Sequence, residues 1–222
     1  ALHVPVAQLN VLTADQQVRQ ALGRLSFGAR PGDVERVRRM GVDAWIEEQL
    51  HPERIADTSL AATLAALPTL GRPAAELLRD YPPPGQLLAQ AALRNRLRGD
   101  TAATMGGTPG QPALALGAAD SAMLRRQGRV SYRVLGELQT ARVARAVASE
   151  RQLLAVMTDF WANHFNVFGA KDRVRYYLPE YEATLRAHAL GDFRTLLGAV
   201  AKSPAMLLYL DNWQSVADST RP

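Results

Sequence analysis

Apolar residues recur at helical spacing along this chain of 222 residues, and nowhere do they alternate regularly with polar residues. Because side chains repeat every 3.6 residues on a helix and every two on a strand, this pattern predicts helices only. Helix-capping residues divide the pattern at several points, among them Thr13, Asp192 and Ser203. The sequence therefore predicts an all-α protein, an irregular bundle of about nine or ten helices without a sheet.

One stretch lacks helical spacing and is rich in glycine and proline. Residues 99–118 contain Gly106, Gly107, Pro109, Gly110 and Pro112. Because these residues favour turns, the stretch is predicted as a flexible surface loop, with a lid over a site as the alternative. The remaining sequence is expected to form one helical domain over residues 1–222. Since its helical pattern is lost at residues 215–222, we expect it to be the N-terminal part of a larger domain.

Composition excludes several classes of protein. The chain has no cysteine, which excludes disulfides, thiolate metal sites and a cysteine nucleophile. No apolar run approaches the roughly 20 residues that span a bilayer, so no transmembrane segment is predicted, and residues 1–12 do not resemble a signal peptide. The net charge of +5 is spread along the chain, which makes nucleic acid an unlikely partner.

Motifs for several common chemistries are absent. The sequence contains no P-loop, no Gly-x-Gly-x-x-Gly, no His-Glu-x-x-His, no Gly-x-Ser-x-Gly and no EF-hand pattern. Nucleotide-binding, zincin, serine-hydrolase and calcium-binding functions therefore have no support from the sequence.

The stretch from Ser149 to Asn166 carries the strongest candidate functional residue, His164. Ser149 and Gln152 predict a capping box at the start of one helix. At 100° per residue, His164 falls within an apolar face with Leu153, Met157, Phe160, Trp161, Phe165 and Phe168. An imidazole on such a face takes its pKa and tautomer from its neighbours, as a general base or a metal ligand requires. The alternative is a structural histidine bonded to a backbone carbonyl.

Polar residues near this helix and in the later motifs complete a candidate site. We predict His164 and Asp159 as catalytic residues, and His164 as a ligand of a divalent metal cofactor. Predicted substrate contacts are Asn163, Arg173, Tyr176, Asp211 and Asn212. Helix capping and helix packing are the alternative roles of these residues. Because the chain has only four histidines, a histidine-rich metal site cannot be assembled from it alone.

Three ordered motifs resemble the bacterial domain of unknown function 1800 (DUF1800) family. They are Leu25–Asp33, Asp159–Phe165 and Lys202–Asn212. The resemblance covers most of residues 13–213 and omits the glycine-rich loop. It implies a helical protein, exported to the periplasm or the cell exterior with its signal peptide removed. It also implies a C-terminal remainder that carries glutamates and a histidine and would be the partner of this part, but it implies no catalytic mechanism.

These observations support three functional hypotheses. The first is an exported helical protein with a buried polar or metal site around His164; whether it is an enzyme, completed by the C-terminal remainder, stays open. The second is a non-enzymatic helical scaffold or partner-binding module. The third is a binder of anionic polymer through an arginine stripe, Arg125, Arg129 and Arg133, together with Arg173 and Arg175.

Overall fold

The computed structural model of the protein describes residues 12–97, 118–171 and 173–216. Within these ranges the chain forms helices and turns without a strand, so the all-α prediction is confirmed. The predicted flexible loop lies outside the described residues except for Ala118, which begins a helix. None of the described helices is long and apolar enough to cross a membrane.

Twelve α-helices follow one another along the described ranges. They are α1 (Ala14–Leu25), α2 (Asp33–Met40), α3 (Val42–Leu50), α4 (Ala61–Ala65), α5 (Ala74–Asp80), α6 (Pro84–Leu97), α7 (Ala118–Ser131), α8 (Arg133–Ala148), α9 (Gln152–His164), α10 (Leu178–His188), α11 (Phe193–Lys202) and α12 (Pro204–Tyr209). Short 3₁₀ turns at Pro52–Arg54, Thr58–Leu60, Val174–Tyr176 and Asn212–Gln214 lie between or after them.

Helices α1 to α3 pack around a small apolar cluster of their own. Val18 and Leu22 of α1 meet Val37 of α2 and Trp45 of α3, and each side chain is almost completely buried. The predicted capping box at Thr13 is confirmed, since the Thr13 hydroxyl accepts the N–H at the third helical position. This unit also contacts α9.

The largest cluster lies among α8 to α12. It includes Leu138 of α8, Tyr181 and Leu185 of α10, and Val200 of α11. A smaller cluster joins α5 and α8 through Leu77, Val134 and Tyr176. Helix α10 is thereby packed on several sides, which fixes the side chains that it presents towards α8 and α9.

The loop after α9 approaches α10 so closely that a side chain at Gly169 would not fit. A Cβ atom there would lie 2.6 Å from Cδ1 of Leu178 and 3.2 Å from Cδ1 of Leu135. Glycine therefore permits the close approach of this loop to the main cluster.

The prediction that Ser149 caps the His164 helix is wrong. Ser149 ends α8, and α9 begins at Gln152. The Ser149 hydroxyl donates to Oδ2 of Asp57 at 2.7 Å, and Nε2 of Gln152 donates to the Ser149 carbonyl at 2.7 Å. The hydroxyl thus donates to a residue 92 positions away, while its oxygen accepts the N–H of Arg151 at 3.1 Å instead of that of Gln152.

The predicted apolar face of α9 is correct only in part: Leu153 is buried, and Trp161 and Phe165 pack against the main cluster. The buried residues of this helix are Gln152, Leu153, Ala155, Thr158 and Ala162. Phe160 is 52% exposed and His164 is exposed. Small side chains at Ala155, Thr158 and Ala162 allow close packing against neighbouring helices, which leaves much of the aromatic side outward.

Candidate functional site

The first of the three motifs holds the corner between α8 and α9. Arg30 donates from Nη1 to the Ser149 carbonyl at 3.1 Å, and its Nη2 lies 3.0 Å from Oε1 of Glu150. Its Nε donates to Oδ2 of Asp33 at 3.0 Å. Burial alone would raise the pKa of Asp33, but the hydrogen bonds and charge of Arg30 hold that pKa below its usual value. The motif therefore supplies a fixed ion-pair support for the corner.

Residues from the segment before α4 hold the same corner from another side. Asp57 accepts the Glu150 backbone N–H at 3.0 Å in addition to the Ser149 hydroxyl. Arg151 donates from Nε and Nη2 to the Ile55 carbonyl at 3.0 and 2.8 Å. The corner is thus tied to two distant segments, and the side chains on its outer surface have defined positions.

A cavity of about 440 Å³ lies beside this corner, and we call it the arginine cavity. This volume is within the range of small-molecule sites. Its lining combines cations with aliphatic side chains. The lining residues are Asp57, Thr58, Leu60, Ala61, Leu64, Arg145, Ser149, Arg151, Leu154 and Arg186.

Three arginines converge on one buried carboxylate behind the cavity. The Glu182 side chain is 3% exposed and accepts from Nε of Arg142 at 2.5 Å, Nη1 of Arg145 at 2.7 Å and Nη2 of Arg186 at 3.5 Å. One carboxylate neutralises one guanidinium, so positive charge remains in excess here. Among the described residues, the 3.5 Å contact is the one hydrogen bond that the Arg186 guanidinium makes.

The pKa of Arg186 reflects the burial and crowding of these positive charges. It is lowered, first by burial and then by repulsion from Arg145, and the charges of Glu182 and Asp57 only partly oppose both effects. An anion bound beside Arg186 would stabilise the charged guanidinium. The geometry therefore suits a carboxylate or a phosphate, the groups whose oxygens match the arginine fork.

Arg145 and Arg186 also line two neighbouring cavities. A cavity of about 150 Å³ contains Asp159, and one of about 410 Å³ contains Glu180. Asp159 is the predicted catalytic residue that the structure brings to these arginines. Its Oδ2 accepts from Nδ2 of Asn163 at 3.1 Å. The two residues lie on successive turns of α9, on the same face of the helix.

His164 does not join this site and is exposed, so the predicted polar site around it stays a prediction. Its exposed imidazole lies among aromatic rings, stacked on Phe160 at 6.0 Å and edge-on to Trp161 and Phe165 at 5.6 and 4.8 Å between centroids. Within the described ranges, no three histidine, aspartate or glutamate side chains form a group that could hold a metal. A metal at His164 would need ligands from elsewhere and stays a prediction.

The predicted substrate contacts outside α9 lie in separate surroundings. Asp211 accepts from Nζ of Lys171 at 2.6 Å, while Asn212 is exposed. Tyr176 is fully buried, with its hydroxyl donating to the Tyr81 carbonyl at 2.6 Å. In the described part of the chain, no hydrogen bond joins these residues to His164.

The predicted arginine stripe is not one continuous exposed surface. Arg133 donates to Oε1 of Glu137 at 2.5 Å. Arg175 is 6% exposed, and its guanidinium lies 4.0 Å from the centre of the Tyr132 ring. Arg125, Arg129 and Arg173 are exposed. Burial of Arg175 removes it from any polymer surface, because a buried guanidinium cannot reach phosphates outside the protein.

Sequence reasoning missed Arg145, Glu182 and Arg186, although one signal was present. Glu182 lies four residues after Leu178 and three before Leu185, so it occupies a position on the buried face of α10. A glutamate at such a position requires a cation, and Arg186 follows it by one helical turn. No sequence pattern, however, indicates that Arg142 and Arg145 of α8 meet the same carboxylate.

Comparison with known proteins identifies a family but no function. The model of the family described as protein of unknown function (DUF1800) matches residues 20–220, which include all three motifs. Neither the curated proteins nor the solved structures contain a match to this chain.

Proposed function

The chain belongs to the DUF1800 family of proteins of unknown function, and we propose that it binds a small anion in the arginine cavity, at Arg145 and Arg186. The observation that carries this proposal is the convergence of three guanidinium groups on the single buried carboxylate of Glu182. A purely structural ion pair needs one of these arginines. The others retain donors and charge that an anion would satisfy.

The position of Arg186 favours binding over a solely structural role. Its side chain is 26% exposed and lines the cavity, so an anion can reach it, while its partly buried surroundings weaken the competition from water. Arg145 presents a second guanidinium on the same wall. Two adjacent forks can bind both oxygens of a carboxylate or two oxygens of a phosphate.

The proposal is tested by the thermal stability of the protein in sodium acetate and in sodium phosphate at constant ionic strength. Both anions should raise the melting temperature with a saturating dependence on concentration, because a ligand that binds only the folded state stabilises it. Arg186→Gln should weaken binding by about tenfold or more, as expected for loss of a charge-assisted hydrogen bond.

Arg194→Gln is the matched control for this test. It makes the same charge change at an exposed side chain of α11 that does not line the cavity, and it should leave anion affinity unchanged. No saturable stabilisation by either anion, or equal losses in the two variants, would refute anion binding at this site and favour the scaffold function.

A catalytic role of Asp159 is the second candidate function. Asp159 shares the cavity of about 150 Å³ with Arg142 and Arg186, so a bound anion would place reacting groups near a carboxylate that can accept a proton. Asp159→Asn should keep anion affinity, because the arginines are unchanged. It should abolish turnover of any substrate found by screening anionic compounds; unchanged turnover would exclude Asp159 as a catalytic residue.

We also propose export to the periplasm or the cell exterior, and completion of the His164 surface by a C-terminal remainder of the protein. Cell fractionation of the full-length protein tests the first proposal. Metal analysis of the full-length wild type and its His164→Gln variant tests whether this histidine is a ligand there. Equal metal content in the two proteins would refute His164 as a metal ligand.

A further inference from the structure

The lining of the arginine cavity carries more information than its charge. Four of its ten lining residues are aliphatic, namely Leu60, Ala61, Leu64 and Leu154. Leu60 is 3% exposed, while Leu64 and Leu154 are partly buried. A hydrated inorganic anion gains nothing from such a wall. An anion with an apolar tail would remove aliphatic surface from water on both sides.

The polar part of the lining limits the charge of the ligand. Asp57 lies on the same cavity and accepts hydrogen bonds from the Ser149 hydroxyl and the Glu150 N–H, which hold its carboxylate in place. Its negative charge offsets part of the attraction that the arginines offer to a ligand. The cost of taking an anion out of water rises with the square of its charge, so a partly offset site favours a monoanion over the dianionic form of phosphate.

From these two features, and building on the proposed anion binding, we infer that the arginine cavity takes a monocarboxylic acid with an apolar tail. Its carboxylate would lie between the Arg145 and Arg186 guanidinium groups. Its tail would lie along Leu60, Leu64 and Leu154. Hexanoate represents this class of ligand.

The test is a titration series of acetate, butanoate, hexanoate and inorganic phosphate, followed by calorimetry on the purified protein. Each methylene that is buried against the aliphatic wall should tighten binding about fourfold. Hexanoate should therefore bind at least tenfold more tightly than acetate or phosphate. 1-Hexanol has the same tail without the carboxylate and should bind at least tenfold more weakly than hexanoate.

Two leucine variants locate the tail. Leu64→Ala shortens a cavity side chain and should weaken hexanoate binding several-fold while leaving acetate binding unchanged. Leu207→Ala shortens a leucine of α12 that is 37% exposed and does not line the cavity, and it should change neither affinity.

The outcomes separate this inference from the proposed function. Equal affinities for acetate and hexanoate, both lost in Arg186→Gln, would refute the apolar-tail class and leave anion binding intact. Tight binding of 1-hexanol, or a hexanoate affinity unaffected by Leu64→Ala, would also overturn the inference. Absence of binding by every acid and by phosphate would refute anion binding itself.

Discussion

Glu182→Gln is the most direct perturbation of the arginine cluster, because it removes the one carboxylate that three guanidinium groups share. The substitution keeps the size of the side chain and one carbonyl oxygen. It leaves Arg142, Arg145 and Arg186 next to one another without their counter-charge. If the carboxylate balances these charges, the variant should fold with a large loss of stability.

The magnitude follows from how deeply the partners are buried. Removing one member of a buried ion pair costs about 3–5 kcal/mol, since an unpaired charge stays in the interior. The three arginine side chains are 18–38% exposed, so water partly solvates them. We therefore expect a loss near the lower end, about 3 kcal/mol, which corresponds to a fall of about 6–12 °C in melting temperature for a protein of this size.

Urea unfolding followed by circular dichroism measures this loss. Glu180→Gln is the control, because Glu180 is an exposed residue of the same helix. In the described part of the chain its carboxylate accepts one hydrogen bond, from the Ala74 N–H at 3.4 Å. The control should lose less than about 1 kcal/mol. Acetate or phosphate should restore part of the stability of Glu182→Gln by occupying the place of the lost charge.

A loss in Glu182→Gln no greater than that in Glu180→Gln would show that the arginines are solvated well enough without their partner. Excess positive charge would then give no reason to expect an anion at this site. A large loss of stability that no anion reverses would support a structural role of the ion pairs of Glu182 and count against ligand binding.

Three further measurements test the packing and the ionisation states. Gly169→Ala should lower the free energy of unfolding by about 1–3 kcal/mol, because the new Cβ would overlap the ends of the Leu178 and Leu135 side chains. Gly136→Ala, where the space is open, should instead raise the free energy of unfolding by about 0.5–1 kcal/mol. Equal effects of the two substitutions in urea unfolding would contradict this prediction. Burial raises the pKa of Tyr181 to about 12. The tyrosine therefore contributes fully to stability below the unfolded pKa of 10.0, and this contribution is lost as the pH rises towards 12. Tyr181→Phe should reduce the loss of stability at alkaline pH, as measured by circular dichroism. Burial alone would raise the pKa of Glu137, but hydrogen bonds from Thr69 and Arg133 hold this pKa below 4.5. The ionised carboxylate therefore stabilises the protein above pH 4.5, and this stabilisation is lost as the pH falls through the lower pKa of the folded state. The stability difference between wild type and Glu137→Gln should therefore shrink in acid, and a constant difference from pH 7 to pH 3 would be inconsistent with this state.

Features that depend on residues close to one another in the sequence were predictable. The all-α class follows from apolar spacing, and the caps at Asp192 and Ser203 are confirmed because each side chain accepts an N–H three residues ahead. The family followed from three motifs, all of which lie within the matched residues 20–220. The same local reasoning failed at Ser149, which ends α8 and donates its hydroxyl to Asp57 of a distant segment.

The tertiary structure alone decided which side of α9 is buried and where the charged cavity lies. A helical wheel ranks faces by hydrophobicity, but burial also depends on how closely neighbouring helices can approach, and small residues such as Ala155 and Ala162 allow that approach. Glu182 meets Arg145 of α8 across 37 positions of sequence. Spacing along a chain determines the local helix, whereas the packing of α8, α9 and α10 determines which charges share a cavity, because such contacts form between residues that no local pattern relates.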